Sequence, residues 1–119
     1  MHAKTKPTEI ILHNQSRTLE VVFNNGERFN LPWEYLRVFS PSKEVRARFG
    51  KERILVLDKQ DVVLKEIKPI GNYALKLYFD DGHNSGLYDW RFLYELGVNQ
   101  AQYWQEHLDR VAGRATGPD

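Results

Sequence analysis

The stretch Leu19-Glu20-Val21-Val22-Phe23-Asn24-Asn25-Gly26-Glu27-Arg28-Phe29-Asn30-Leu31-Pro32-Trp33 decides how this chain is read. Its first five residues are mostly apolar and β-branched, as strands are. Asn25-Gly26 between apolar runs is a strong hairpin signal, because both residues tolerate positive φ. Glu27 to Leu31 then alternates, with Phe29 and Leu31 on one face. Pro32 can open a short helix through Trp33, Glu34, Tyr35 and Leu36.

The same order returns downstream. Ala74 to Phe79 precedes Asp80-Asp81-Gly82, followed by an extended run from His83 to Tyr88 and then Trp90. Phe23 and Phe79 lie 56 positions apart, and Trp33 and Trp90 lie 57 apart. Each Trp is followed three positions later by a leucine, Leu36 or Leu93, on the same face of a helix. The chain therefore reads as two strand–turn–strand–helix units. The expected fold is α+β: a single domain with a mixed, mostly antiparallel β-sheet and a C-terminal helix packed on it.

Around this frame, Glu9 to His13 is a further strand, and so are Ile54 to Leu57 and Val62 to Ile70. Ser40-Pro41 can cap a helix from Ser42 to Arg48 that Gly50 ends. Asp89 is a natural N-cap for Trp90 to Leu96, and Gly97 a natural stop. Asn99 with Gln102 resembles a capping box. In the last helix Ala101, Trp104, Leu108 and Val111 form a stripe at core-packing spacing. Residues 1–7 and 113–119 read as flexible tails, which leaves 8–112 as the domain.

Length and composition narrow the chemistry. A chain of 119 residues, 41% hydrophobic and 28% charged, is an ordinary globular domain. No apolar run approaches the roughly 20 residues of a membrane helix. No secretory leader opens the chain, so the expected location is cytoplasmic. The absence of cysteine excludes disulfides, thiolate zinc sites, cysteine-held iron–sulfur clusters and cysteine nucleophiles. No Gly-x-Ser-x-Gly, phosphate-binding glycine loop or paired-histidine helix occurs. Neither an enzyme activity nor a cofactor is therefore expected.

Charge is balanced overall at +1 and uneven locally. Arg37 to Arg53 holds six basic residues against two acidic ones, whereas Asp80 to Asp109 holds six acidic residues against Arg91. The basic stretch, with Arg37, Arg46 and Arg48, is either a solvated face or a site for an anionic partner. A nucleic-acid domain would be more basic overall. The densest polar cluster is Asp80, Asp81, His83, Asn84 and Ser85. A carboxylate beside an imidazole can bind a metal or pass a proton, but a metal needs more ligands than His83 and Asp81. A hairpin whose Asp side chains cap backbone amides is the simpler account. The aromatics, Tyr35, Tyr88 and Trp104 among them, read as core.

Three stretches together carry a family resemblance. They are Leu31-Pro32-Trp33-Glu34-Tyr35-Leu36-Arg37-Val38-Phe39-Ser40-Pro41-Ser42, then Ile70-Gly71-Asn72-Tyr73-Ala74, and then Phe79-Asp80-Asp81-Gly82-His83-Asn84-Ser85-Gly86-Leu87-Tyr88-Asp89-Trp90. The chain resembles the gamma-butyrobetaine hydroxylase-like N-terminal domain family, over roughly residues 8–98, and most of all its standalone bacterial form. The resemblance implies a small accessory domain of unknown function. In the hydroxylases such a domain precedes an iron(II)- and 2-oxoglutarate-dependent oxygenase, and elsewhere it is attached to ATPases of iron–sulfur assembly. It also implies a structural zinc held by three cysteines and one histidine. His83 matches the histidine, but Ser40, Ser42 and Val45 stand where the cysteines fall, so no zinc site is expected. The function expected is a noncatalytic module that contacts a protein partner, in an iron–sulfur assembly context by family association. The alternative is a subunit or remnant of an oxygenase system that contributes to a substrate site in trans. No nucleic acid or membrane contact is expected, and the chain is taken as a monomer or weak homodimer.

Overall fold

The structure, a computed structural model, describes residues 5–41, 55–84 and 86–115. Strands β1 (Pro7–His13), β2 (Thr18–Phe23) and β3 (Arg28–Pro32) run into helix α1 (Trp33–Val38). Strands β4 (Leu64–Ile70), β5 (Ala74–Phe79) and β6 (Leu87–Asp89) run into helix α2 (Trp90–Val98), which is followed by α3 (Gln100–Ala115). Each trio is its own antiparallel sheet, in the orders β1-β2-β3 and β4-β5-β6. The two units are thus not joined edge to edge. They meet through side chains: Leu19, Val21, Phe23 and Leu31 share one buried cluster with Leu75, Leu77, Phe79 and Tyr88. Burying two apolar sheet faces against a common core removes more surface from water than lengthening one sheet would.

The repeat extends to individual hydrogen bonds. The Phe23 N–H donates to the Glu27 carbonyl at 2.8 Å and the Gly26 N–H to the Phe23 carbonyl at 2.9 Å. The Phe79 N–H donates to the His83 carbonyl, and the Gly82 N–H to the Phe79 carbonyl, both at 3.2 Å. Gly26 and Gly82 sit at φ +91 and +87, as a tight turn ending in a left-handed residue requires. Asn25 Oδ1 accepts from the Glu27 N–H at 3.0 Å, and Asp81 Oδ1 from the His83 N–H at 3.1 Å. The strand pairing also slips at matching places, between Pro7 and Glu9 and between Leu64 and Glu66. Each helix starts alike, with the Trp33 N–H on the Arg17 carbonyl and the Trp90 N–H on the Tyr73 carbonyl.

Some local expectations are corrected. Pro32 is extended, at φ −60 and ψ 146, and precedes α1 instead of opening it. Residues 55–57, the described part of the strand expected over Ile54 to Leu57, carry no strand. The helix expected over Ser42 to Arg48 lies outside the described residues. Asp89 does cap α2, accepting from the Phe92 N–H at 2.7 Å. The helix then passes through Gly97 to Val98. The reason for glycine there is close approach: a Cβ on Gly97 would stand 2.4 Å from the Phe29 ring.

The expected capping box is not formed either. The Asn99 amide donates to the Glu95 carbonyl, and Gln102 pairs with Glu106. Helix α3 turns Tyr103, Trp104 and His107 inward; of the expected stripe Trp104 and Val111 are partly buried, whereas Ala101 and Leu108 are not. His107 is buried, its ring stacked on Trp104 at 4.9 Å, while Ala101 and Leu108 are exposed. The helix continues to Ala115, past the domain boundary expected at 112.

Candidate functional site

The end of α1 faces the turn between β5 and β6, and the residues singled out for chemistry gather there. Arg37 Nε donates to Asp81 Oδ2 at 2.8 Å, and Lys59 Nζ donates to the same oxygen at 2.7 Å. With the His83 N–H on Oδ1, both carboxylate oxygens are engaged. Partial burial pushes the Asp81 carboxyl up. The Lys59 ammonium, the His83 N–H and the Arg37 guanidinium outweigh that and hold it well below the usual carboxylate range. Asp80 ties the same turn to Val63, the residue before β4: its N–H donates to the Val63 carbonyl at 2.8 Å, and its Oδ1 accepts from the Val63 N–H at 3.0 Å.

His83 and Ser40, distant in sequence, are neighbours. His83 Nε2 and Ser40 Oγ share a hydrogen bond of 2.8 Å, and both residues are buried. The Tyr88 hydroxyl donates to the Leu36 carbonyl at 2.7 Å, closing the same junction from beneath. Asn84 is exposed, and Ser85, Arg46 and Arg48 lie outside the described residues. Arg37 was expected on a basic face. Its side chain is instead only 12% exposed and committed to Asp81. Replacing Ser40 with Ala should lower the unfolding free energy by about 1 kcal/mol, the usual worth of one such hydrogen bond. Chemical denaturation of the purified chain measures it, and unchanged stability would count against the Ser40–His83 contact.

The cluster has a counterpart in the other unit. Asn25 occupies the turn position of Asp81, and Tyr94 follows Arg37 by 57 positions. The Asn25 amide donates to the Tyr94 hydroxyl at 3.1 Å. Each helix therefore grips the hairpin of the opposite unit: α1 through Arg37 and Asp81, α2 through Tyr94 and Asn25. The rings of Phe23, Phe29 and Tyr94 meet edge to face, at 5.1 to 5.9 Å, beneath the second grip.

The zinc implied by the family resemblance does not fit these residues. Two ligands of one tetrahedral zinc stand about 3.3 Å apart with the metal between them. Ser40 Oγ and His83 Nε2 are closer than that and bonded to each other, and a neutral hydroxyl does not replace a thiolate. Ser42 and Val45 lie outside the described residues. Among the described residues no group of three or more His, Asp or Glu side chains could hold a metal ion.

A second feature went unread in the sequence. An open groove of about 590 Å³ runs between the start of α1 and the junction of α2 with α3. Pro32, Tyr35, Val98, Ala101 and Trp104 line it, with Glu34 at its side. The buried Tyr35 is fixed by its hydroxyl, which donates to the Leu96 carbonyl at 2.7 Å. Partial burial, and then the nearby Asp61 charge, push the Glu34 carboxyl above its ordinary value. Tyr35 and Trp104 were legible as packing residues; that they also form the wall of a groove depends on where α3 lies.

Residues 10–94 match the family described as gamma-butyrobetaine hydroxylase-like, N-terminal. The chain belongs to that family. Two proteins whose solution structures were determined by NMR are similar to this gamma-butyrobetaine hydroxylase-like domain. One is 41% identical with a TM-score of 0.80, over 94% of this chain and 88% of its own. The other is 47% identical with a TM-score of 0.76, over 93% of this chain and 81% of its own. A crystal structure from Acidithiobacillus ferrooxidans ATCC 23270, of a protein of unknown function in the DUF971 family, is 35% identical. Its TM-score is 0.64, over 77% of this chain and 92% of its own. No curated protein matches the chain. The gamma-butyrobetaine hydroxylase-like domain is thus a small family domain of unknown function. Among its described residues no helix is long and apolar enough to cross a membrane.

Proposed function

We propose that this domain is a noncatalytic accessory module that contacts a protein partner. The observation that supports this most is the engagement of Asp81 and His83 within the fold. Asp81 accepts from three donors and His83 Nε2 is taken by Ser40, so both groups hold α1 to the opposite hairpin. A general base or nucleophile needs a lone pair free for a substrate, and here Asp81 and His83 Nε2 are held by partners within the chain. The role left to the domain is recognition by its surface. The resemblance to domains attached to iron–sulfur assembly ATPases supports that process as the context, by association alone. The basic stretch with Arg46 and Arg48, next in sequence to the Ser40 junction, is part of the proposed contact surface.

Affinity capture from the native cell under cross-linking tests the reading. The wild-type chain should retain one protein in stoichiometric amount, and a chain carrying Arg46→Glu and Arg48→Glu should retain at most about a tenth as much, as for loss of two interfacial charges. Equal recovery by both chains removes the basic stretch from the surface. Recovery of the wild-type chain alone overturns the module.

A further inference from the structure

The groove beside α1 is built for a particular kind of occupant. Pro32, Tyr35, Val98, Ala101 and Trp104 give it an apolar lining, with Gln100 and Gln105 as neutral polar groups. Val98 is 55% exposed at its edge, a large apolar side chain left open to water. Among the described residues Glu34 is the one charged residue in the lining. No lysine, arginine or histidine among the described residues lies within ion-pair distance of Glu34, although Arg37 and Lys59 are both engaged elsewhere on Asp81. Asp61 adds a second negative charge nearby instead of relieving the first. A half-buried carboxylate with another acid beside it favours a cation supplied from outside. The two helices of the far wall carry three acidic and three basic residues, so the charge facing an occupant is that of Glu34 with Asp61 beside it.

We propose that this groove binds a partner segment in which an aliphatic residue adjoins a lysine or arginine, the apolar stem lying along Trp104 and Val98 and the cation resting on Glu34. The volume suits one such pair of side chains, within the roughly 300–1,000 Å³ of typical binding clefts. Long basic side chains combine an apolar stem with a charged head, which is the pairing the groove presents. The inference rests on the reading of the domain as a protein-binding module and names the chemistry of the partner.

The test is a titration of the 15N-labelled chain with the tripeptide acetyl-Leu-Lys-Leu-amide, and with versions carrying norleucine or glutamate in place of lysine. The lysine peptide should give saturable shifts at Gly97, Val98 and the Trp104 indole, with a dissociation constant in the range of about 1 mM, as befits a short probe. Replacing lysine with norleucine, or Glu34 with Gln, should weaken binding about fivefold, the loss of one partly exposed ion pair. The glutamate peptide should bind still more weakly, and Ala101→Phe should abolish the shifts by filling the groove. The proposal is overturned by the absence of saturable groove shifts up to about 10 mM peptide, by equal binding of the norleucine peptide, by unchanged binding to E34Q, or by shifts that survive A101F. Cell capture separates the two levels. A partner retained equally by wild type and E34Q, with no groove shifts, overturns the groove and leaves the module standing; no partner at all overturns the module.

Discussion

Asp81→Ala should lower the unfolding free energy by about 2 kcal/mol, less than a fully buried pair would lose because the Asp81 side chain is 21% exposed. The loss has three parts. The Arg37 guanidinium is left nearly buried without its carboxylate, and its Nη1 already lacks a hydrogen-bond partner among the described residues. Lys59 loses its acceptor, and the turn loses the Asp81 bond to the His83 N–H. Asp81→Asn keeps an acceptor for that N–H and should cost about half as much. Thermal and denaturant melts read both variants. The pH dependence has a definite sign. The folded carboxyl sits below its unfolded value, so its contribution is present above about pH 4 and is lost as pH falls through the lower, folded value. The gap between wild type and D81N should be steady from about pH 5 to 8 and close in stronger acid. A gap that widens in acid would show that the ion pair is not what Asp81 contributes.

Gly97→Ala should destabilise the chain by about 1 to 3 kcal/mol, although alanine is the better helix former by about 1 kcal/mol. The added methyl would lie 2.4 Å from two atoms of the Phe29 ring and 2.7 Å from a third. The ring cannot swing aside freely, because Phe23 and Tyr94 pack against it at 5.9 and 5.6 Å. Phe29→Leu alone should cost about 1 kcal/mol as a cavity-forming change. Combined with Gly97→Ala it should recover part of the loss, so the pair is less damaging than the sum of its members. Melting of the four chains settles it. A G97A chain as stable as wild type would mean that α2 does not press on β3 as described.

Much of the fold could be read from spacing alone, and the residues show why. Phe23 with Gly26 and Phe79 with Gly82 mark the two turns, because the backbone bond pattern needs glycine at positive φ. The capping Asp89 is local chemistry too, decided within three residues. What escaped was decided at a distance. Gly97 looks like a helix stop, and only the Phe29 ring, 68 positions earlier, explains why it is not. The inward face of α3 depends on which neighbours it meets, so Tyr103 and His107 join Trp104 there in place of Ala101 and Leu108. At the candidate site the turn was legible as a turn. Its partners Arg37 and Lys59 were not, since nothing in their own neighbourhoods names an acceptor so far along the chain; Ser40 was placed near His83 by the family resemblance alone, as two positions of one zinc site. The groove was illegible for the same reason: Glu34 and Trp104 come together only when α3 docks.

The reciprocal grip of the helices bears on how the chain loses its structure. Tyr94 holds the first hairpin and Arg37 holds the second, so each unit's turn is completed by a side chain it does not contain. Neither unit has a private core, because Leu19 and Leu75 belong to one cluster. Melting one hairpin releases the helix that braces the other, and the disturbance returns to where it began. The chain is in this sense two interlocked copies that stand or fall together, and a partner that steadies either copy steadies the whole molecule.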